Sequence, residues 1–212
     1  MKIPFVGQAY TLRSKSLAAQ QCVNFYIEQS EVNPADIALY GTAGTRKLVT
    51  LPNTGGIRQL YVPATGKAIA VHGNKVYRMA SNWTYQAVYG QDLLSNSGYV
   101  SIADNGAVAV LVDGLHGYVL DLTTNVLTRI VNDAFYGADR VGFIDGYFIF
   151  NKPNTQQFYI SSLYGTNFDG LDFASAEGAP DLLVSLLVDH REVWMFGEST
   201  TEVFYNSGDA DF

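Results

Sequence analysis

Four stretches of the chain repeat the same alternation of apolar and polar residues, at a spacing of about 42 residues. The predicted first strand of each unit lies at Ile57–Val62, Tyr99–Asp104, Arg140–Ile144 and Leu183–Val188. The second strands lie at Ala68–Val71, Ala107–Val112, Tyr147–Phe150 and Glu192–Phe196. The third strands lie at Lys75–Arg78, Tyr118–Asp121, Gln157–Ile160 and Glu202–Tyr205. A fourth strand closes the first three units at Thr84–Val88, Leu127–Val131 and Leu171–Ala174.

Four strands every 40–50 residues or so is the spacing of a β-propeller blade. The pattern therefore predicts an all-β fold in which residues 51–212 form a propeller of about four four-stranded blades. The last blade is predicted to be incomplete, because no fourth strand precedes Phe212. We expect these blades to be the N-terminal part of a longer propeller.

The turns between first and second strands are as regular as the strands. They contain Thr65-Gly66, Asp104-Asn105-Gly106, Asp145-Gly146 and Asp189-His190. Asp-Gly and Asn-Gly pairs favour tight hairpins, because both central residues can adopt a positive φ. Strands joined by such turns pair antiparallel, without helical crossovers.

Residues 1–50 do not follow the repeat and are predicted to form an N-terminal extension. Apolar and polar residues alternate along Cys22–Glu28, which predicts a strand with one solvated face. A second short strand is predicted at Ile37–Tyr40, ending at Gly41. A strand from one terminus often completes the last blade of a closed propeller, so we expect this extension to complete a blade or to contact neighbouring proteins.

Composition restricts the classes of function. The chain is 48% hydrophobic and 16% charged, which is typical of a packed domain, and its formal net charge is −7. This charge argues against a general nucleic-acid binder, whose phosphate contacts need Lys and Arg. Cys22 is the single cysteine, so no internal disulfide forms, and no neighbouring signal indicates a cysteine nucleophile. We also expect no signal peptide and no membrane span, since apolar runs of the required length are absent.

Three aspartates recur at equivalent turns: Asp104, Asp145 and Asp189. A ring of carboxylates could bind a metal or hydrolyse a glycoside. Aspartate is also favoured in hairpin turns for conformational reasons, and no stretch has the spacing of a calcium loop. We therefore interpret them as turn residues and predict no catalytic, cofactor-binding or metal-binding residue.

The three histidines have no zinc-site spacing. His72 and His116 are predicted at the turns between second and third strands, and His190 at the opposite end of the blades. A common site for all three is not expected.

Three segments in order resemble one phage protein family. They are Gln21–Glu28 with the following Ala38–Gly44, then Gly56–Leu60, and finally Gly197–Gly208. They are similar to the motifs of the packaged-DNA stabilisation, or tail-hub (nozzle), proteins of short-tailed bacteriophages. The chain departs from that family at Ile27 and Ala43, which replace prolines, and at Gln59, which replaces a glycine.

The resemblance implies a structural, non-enzymatic virion protein without a cofactor. Its relatives form a ring of subunits below the portal and its adaptor, retain packaged DNA, and seat tail spikes or fibres and a central plug. It implies a place in the tail of the virion, with assembly in the host cytoplasm. We expect neither sequence-specific nucleic-acid binding nor membrane contact.

We expect partner contacts at the solvated face of the first predicted strand and at a small basic cluster before it. These residues are Arg13, Lys15, Asn24, Tyr26 and Glu28.

Two other functions and one other architecture are compatible with the pattern. The chain could be a propeller glycosidase or lyase acting on surface polysaccharide, or a carbohydrate-binding or scaffold propeller. The strands could also pair as a β-sandwich, because alternation assigns the faces of a strand without assigning its neighbours.

Overall fold

The computed structural model describes residues 23–33, 37–179 and 181–208, and these contain β-strands, turns and loops without a helix. The chain divides into two compact units, Met1–Leu48 and Val49–Phe212. In the first unit, β1 (Phe25–Gln29) and β2 (Ile37–Gly41) form a two-stranded antiparallel hairpin.

The second unit contains four sheets, which we call blades 1 to 4. Blade 1 consists of β3 (Ile57–Tyr61), β4 (Ala68–His72), β5 (Lys75–Met79) and β6 (Tyr85–Ala87). After the short β7 (Tyr89–Gly90), blade 2 consists of β8 (Ser101–Asp104), β9 (Val108–Val112), β10 (Gly117–Asp121) and β11 (Val126–Arg129). Blade 3 consists of β12 (Val141–Ile144), β13 (Tyr147–Asn151), β14 (Gln157–Ile160) and β15 (Phe173–Ser175). Blade 4 consists of β16 (Leu183–Asp189), β17 (Glu192–Gly197) and β18 (Thr201–Tyr205).

Strand order confirms the propeller prediction. Within each blade, consecutive strands pair antiparallel in sequence order, and blade 4 has three strands. The alternative β-sandwich pairing does not occur among the strands that the structure describes.

The turns between first and second strands follow the predicted chemistry. Asp145 and Gly146 both have a positive φ, of 48° and 94°. In blade 4 the corresponding residues, His190 and Arg191, have φ values of 49° and 64°, although neither is glycine or asparagine. This pair of positive φ angles gives the backbone twist that matches a two-residue hairpin.

The predicted fourth strand of blade 3 is displaced along the chain. Leu171 was expected to begin it, but Asp169 accepts a hydrogen bond from the Leu171 amide at 3.0 Å and holds this residue in a turn. The strand therefore begins at Phe173. The segment between β14 and β15 is a loop without strands.

The core lies between successive blades as a series of apolar layers. Between blades 1 and 2, Ile69 and Val71 pack with Leu111 and Tyr118. The buried residues between blades 2 and 3 include Val110, Phe148, Phe150 and Tyr159, and those between blades 3 and 4 include Ile149, Phe158, Val193 and Met195. A fourth layer lies on the other face of blade 1, where Leu51 covers Ala70, Tyr77 and Met79.

Aromatic side chains fill the layer between blades 2 and 3. Phe135, from the segment that connects these blades, meets Phe150, Tyr159 and Phe168 edge-on, with ring centroids 5.3–6.1 Å apart. The Tyr159 hydroxyl donates to the carbonyl of Gly137 at 2.7 Å, and burial raises the pKa of this hydroxyl. Edge-to-face contacts of this kind add stability beyond that of buried area alone.

Gly142 of β12 lies where blades 3 and 4 approach each other closely. A Cβ at Gly142 would lie 2.6 Å from Val188 Cγ2 and 3.1 Å from Leu186 Cδ1. The glycine therefore permits the close contact between these two blades.

Candidate partner interface

The β1–β2 hairpin joins the two N-terminal stretches that carry the family resemblance. Phe25 pairs with Gly41 at one end and Gln29 with Ile37 at the other. Beyond the ladder, the carbonyl of Asn24 accepts hydrogen bonds from the amide of Thr42 at 2.9 Å and from its hydroxyl at 3.2 Å. The two motifs are thus adjacent strands of one element.

One face of the hairpin carries Tyr26 and Glu28, which were predicted to contact a partner. Tyr26 is opposite Tyr40, and their rings stack with centroids 5.5 Å apart and an interplanar angle of 20°. Glu28 is opposite Ala38, and both tyrosines are about half exposed. Asn24 precedes the strand and has a φ of 60°, so it is not one of the paired strand residues.

The opposite face is apolar and exposed as well, which sequence reasoning missed. It carries Phe25 and Ile27 on β1, with Ile37 and Leu39 on β2. Phe25 is 53% exposed and Leu39 is 47% exposed. The alternation of apolar residues along the strand does indicate this face in the sequence. The prediction, however, was that the apolar side of the strand packs on a core.

Two of the predicted interface residues, Arg13 and Lys15, lie outside the described residues, as does Cys22. The structure therefore brings together Tyr26 and Glu28 and places Asn24 next to them. Their contact with a partner stays a prediction.

Gly197–Gly208, the last of the segments that resemble the family, is hydrogen-bonded to the connection between blades 3 and 4. The Asp181 carboxylate accepts hydrogen bonds from the Ser199 amide at 2.7 Å and from the amide and hydroxyl of Thr200, both at 2.9 Å. The Ser199 bond is the main reason that the pKa of Asp181 lies below its usual range. Glu202 accepts from the Gly178 amide at 2.9 Å. This motif holds a loop in place within the blade unit.

Arg58, from the middle resemblance segment, has a comparable structural role. Its guanidinium donates to the carbonyls of Gly98 at 2.8 Å, Ser95 at 2.9 Å and Gly73 at 3.0 Å. The Ser95 hydroxyl accepts a further bond from it and donates to Asp113. The side chain is buried, which lowers the pKa of the guanidinium. Arg58 thereby fixes the connection between blades 1 and 2.

The first of the recurring turn aspartates, Asp104, has partners in its own turn and in the neighbouring blade. It accepts a hydrogen bond from the Tyr61 hydroxyl of blade 1 at 2.6 Å and one from the Gly106 amide at 2.9 Å. Burial, and then this bond to Asp104, raise the pKa of the Tyr61 hydroxyl. Asp104 therefore connects blades 1 and 2.

The other two turn aspartates contact basic side chains. Asp145 of blade 3 pairs with Arg191 of blade 4 at 3.1 Å, and Asp189 pairs with its neighbour His190 at 2.7 Å. The bond to Asp189 raises the pKa of His190, and the bond to Asp145 raises that of Arg191. Each aspartate has a partner in the turn or in the neighbouring blade.

The histidines lie where the strand pattern predicted. His72 ends β4, with its Nε2 2.9 Å from the Gly55 carbonyl oxygen, and His116 lies in the turn before β10. His190 lies at the other end of the blades. Among the residues described, no three His, Cys, Asp or Glu side chains are grouped as metal ligands would be.

In the portions of the chain that the structure describes, no helix is both long enough and apolar enough to cross a membrane.

The blades resemble those of several solved propellers. The Cps50 (Swd1) β-propeller domain of Myceliophteria thermophila superimposes with a TM-score of 0.58 and 13% identity, over 83% of this chain and 61% of that chain. Virginiamycin B lyase of Staphylococcus aureus superimposes with a TM-score of 0.53 and 10% identity, over 87% of this chain and 64% of that chain. The designed protein Ika4 matches with a TM-score of 0.51 and 13% identity, over 76% of this chain and 99% of that chain.

At these identities the likeness concerns the fold alone. The chain spans less than two thirds of the length of the Cps50 domain and of the lyase. No curated protein matches the chain. A model of a phage-stabilising family, described as bacteriophage P22 Gp10, beta-propeller, matches residues 1–212.

Proposed function

The chain belongs to the phage-stabilising family of the P22 Gp10 β-propeller and is a structural phage protein; we propose that it acts in the tail hub, or nozzle, of the virion. In this role, subunits form a ring below the portal and its adaptor, retain packaged DNA, and dock tail spikes or fibres. The subunits assemble in the host cytoplasm before they join the particle. The role is structural and not enzymatic.

The observation that carries this proposal is the exposed β1–β2 hairpin. Two stretches that resemble the family motifs pair with each other there, and none of the side chains of this hairpin is fully buried. A two-stranded hairpin is at best marginally stable alone in water. We infer that it is a docking element for another virion protein, with Asn24, Tyr26 and Glu28 in the contact and Arg13 and Lys15 contributing from the preceding segment.

The blade unit supports a platform role. Arg58, from the middle resemblance segment, and Asp181, which binds the last of these segments, fasten connections between blades. Propellers of this kind present their loops from a rigid support. The net charge of −7 is consistent with a surface that does not bind the phosphates of DNA and so lets DNA pass without adhering to it.

The proposed location is tested by peptide mass spectrometry of density-banded phage particles. We expect peptides of this chain in a fixed ratio to the major virion proteins. Recovery of the protein only from the free fraction of the lysate would contradict the proposal.

The docking role is tested by complementation with the double variant Y26A/E28A. We expect the variant to fold like the wild type but to be incorporated into particles at least tenfold less. The matched control is L48S, which changes an exposed residue of the same unit outside the hairpin. Equal incorporation of Y26A/E28A and L48S would exclude this face as the interface.

An assay of polysaccharide cleavage distinguishes a structural role from an enzymatic one. Purified particles and purified protein are incubated with host surface polysaccharide, and the release of reducing ends is measured. We expect no cleavage that depends on this chain. Cleavage that disappears in the D104N/D145N/D189N variant, with its fold intact by circular dichroism, would replace the structural role by an enzymatic one.

A further inference from the structure

One face of the β1–β2 hairpin carries an aromatic pair next to a carboxylate. Residues two apart on a strand share a face, so Tyr26 and Glu28 lie on the same side of β1, with Tyr40 and Ala38 opposite them on β2. The rings of Tyr26 and Tyr40 are nearly parallel, and these residues are 53% and 48% exposed. The pair therefore presents part of two aligned rings to solvent, and the next residue of β1 on this face is Glu28.

The small side chain of Ala38 leaves space beside the aromatic pair. An open cleft of about 780 Å³ lies here, and its lining includes Glu28, Glu31, Ala38 and Tyr40. Neither glutamate forms an ion pair with another residue that the structure describes. The cleft thus combines an aromatic wall with carboxylates that can accept hydrogen bonds from a cation.

A guanidinium group fits this combination better than an ammonium group does. Both kinds of cation contact tyrosine rings elsewhere in the chain, with Arg140 Cζ 4.3 Å from the Tyr99 centroid and Lys152 Nζ 4.2 Å from the Tyr136 centroid. The neighbouring carboxylate favours arginine, because a planar guanidinium can stack on a ring and also donate two parallel hydrogen bonds to a carboxylate.

We propose that this face of the hairpin receives an arginine side chain of the partner protein. The guanidinium stacks on the Tyr26–Tyr40 pair and donates hydrogen bonds to Glu28. This contact rests on the docking role proposed above and adds the chemistry of the partner. Charge complementarity supports it, because a chain with a net charge of −7 attracts a basic surface more than a neutral or an acidic one.

Titration of the full chain with N-acetyl-arginine amide, followed by NMR of the tyrosine rings, tests the site. We expect saturable shifts of the Tyr26 and Tyr40 rings, which are assigned with Y26F and Y40F. N-acetyl-citrulline amide has nearly the same shape without the charge, and its shifts should be at least about fivefold smaller. No saturable response, or equal responses to the two compounds, would overturn the proposal.

The variant E28Q tests the carboxylate in the same titration. It removes the charge and preserves the shape, so the affinity for N-acetyl-arginine amide should fall at least about fivefold. The matched control is E177Q, which removes an exposed negative charge from the blade unit and should bind like the wild type. Equal affinities of E28Q and E177Q would overturn the role of Glu28.

E28Q in the complementation assay separates the chemistry of the partner from the docking role itself. We expect incorporation into particles to fall at least about fivefold for E28Q and to stay unchanged for E177Q. Normal incorporation of E28Q together with a loss in Y26A/E28A would preserve the docking role but overturn the arginine contact. Normal incorporation of both E28Q and Y26A/E28A would contradict the docking role.

The alternative occupant of the cleft is a basic residue of the chain itself, Arg13 or Lys15. If the cleft is open to a partner, R13Q/K15Q should respond to N-acetyl-arginine amide as the wild type does. A response that appears only in R13Q/K15Q would show that the chain's own basic residues fill the cleft, and it would overturn the proposal.

Discussion

Blade 2 and the β1–β2 hairpin share one local pattern, antiparallel strands with alternating apolar residues, but differ in what covers them. In β9 the side chains of Val110 and Leu111 point to opposite faces, and both are fully buried, because blades 1 and 3 lie on either side. In β1 the side chains of Phe25 and Tyr26 also point to opposite faces, and both are about half exposed. Alternation determines which residues share a face, and tertiary neighbours determine whether that face is buried.

The difference implies different roles for apolar residues. In the blades they stabilise the fold, and in the hairpin, where they are partly exposed, we propose that they contact another molecule. The following substitutions test this distinction.

The largest effect is expected for F150A in the aromatic layer between blades 2 and 3. The substitution removes a fully buried ring that contacts Phe135 and Tyr159, and it leaves a cavity. We expect the free energy of unfolding to fall by about 3–5 kcal/mol, measured by urea denaturation. The control V131A truncates an exposed residue and should change it by less than about 0.5 kcal/mol. A loss below about 1 kcal/mol for F150A would mean that this layer is not a tightly packed core.

R58M should have the next largest effect. It preserves an apolar stem but leaves the carbonyls of Gly73, Ser95 and Gly98 without their donor. We expect a loss of about 2–3 kcal/mol in the same measurement, because unpaired buried polar groups are costly. K67M, in an exposed turn, is the matched control for removal of a positive charge. Equal stability of R58M and K67M would show that the Arg58 hydrogen bonds contribute little.

G142A tests the close contact between blades 3 and 4. The added methyl group would collide with Val188 Cγ2, so the blades must separate slightly. We expect a loss of about 1–3 kcal/mol. The control G44A places the same methyl group where no atom lies within 4 Å, in the unit that contains the hairpin. If both variants unfold alike, the packing of blades 3 and 4 is looser than the structure indicates.

D181N should have a small, pH-dependent effect. Folding lowers the pKa of Asp181 below 3.8, mainly through the Ser199 amide, so the ionised carboxylate stabilises the fold above that ordinary value. This contribution is lost as the pH falls through the lowered pKa. We expect D181N to be less stable than the wild type at neutral pH, and the difference in melting temperature to shrink below about pH 4. A difference that stays constant down to about pH 2 would exclude the charge as its cause.

The smallest effect on stability is expected for F25S/L39S in the hairpin. Both residues are exposed, so the free energy of unfolding of the blade unit should change by less than about 0.5 kcal/mol. If the apolar face of the hairpin serves docking, incorporation into particles should nevertheless fall in the complementation assay. A large loss of stability would instead show that the apolar residues of the hairpin stabilise the fold, as those of the blades do.

The blades could be predicted from the sequence because their signals are local. Turn pairs such as Asp145-Gly146 fix the hairpins, and period-two alternation fixes the strands between them. The start of β15 was misplaced because Asp169 forms a side-chain turn that competes with strand pairing at Leu171. The short β7 was missed because two residues, one of them Gly90, carry no alternation to detect.

The candidate interface could be predicted only in part. Tyr26 and Glu28 are predicted to contact a partner, since they are polar or amphipathic and lie on the solvated side of a predicted strand, and that contact stays a prediction. The exposure of Phe25 and Leu39 was not predictable, because an apolar alternation is the same whether or not a core covers it. The role of Arg58 was also not predictable, because the acceptors at Ser95 and Gly98 lie about one repeat away along the chain.

The short strand β7 has a mechanical consequence. It follows blade 1 but runs parallel to the outer strand of blade 2, with the Tyr89 amide bonded to the Asn125 carbonyl at 2.8 Å and the Gln91 amide bonded to the Leu127 carbonyl at 3.0 Å. The backbone passes so close to the Leu127 carbonyl that a side chain at Gly90 would collide with it. A force that pulls blade 1 from blade 2 must therefore shear backbone hydrogen bonds as well as open an apolar layer. We therefore expect mechanical separation of blades 1 and 2 to need more force than opening of the apolar layer alone.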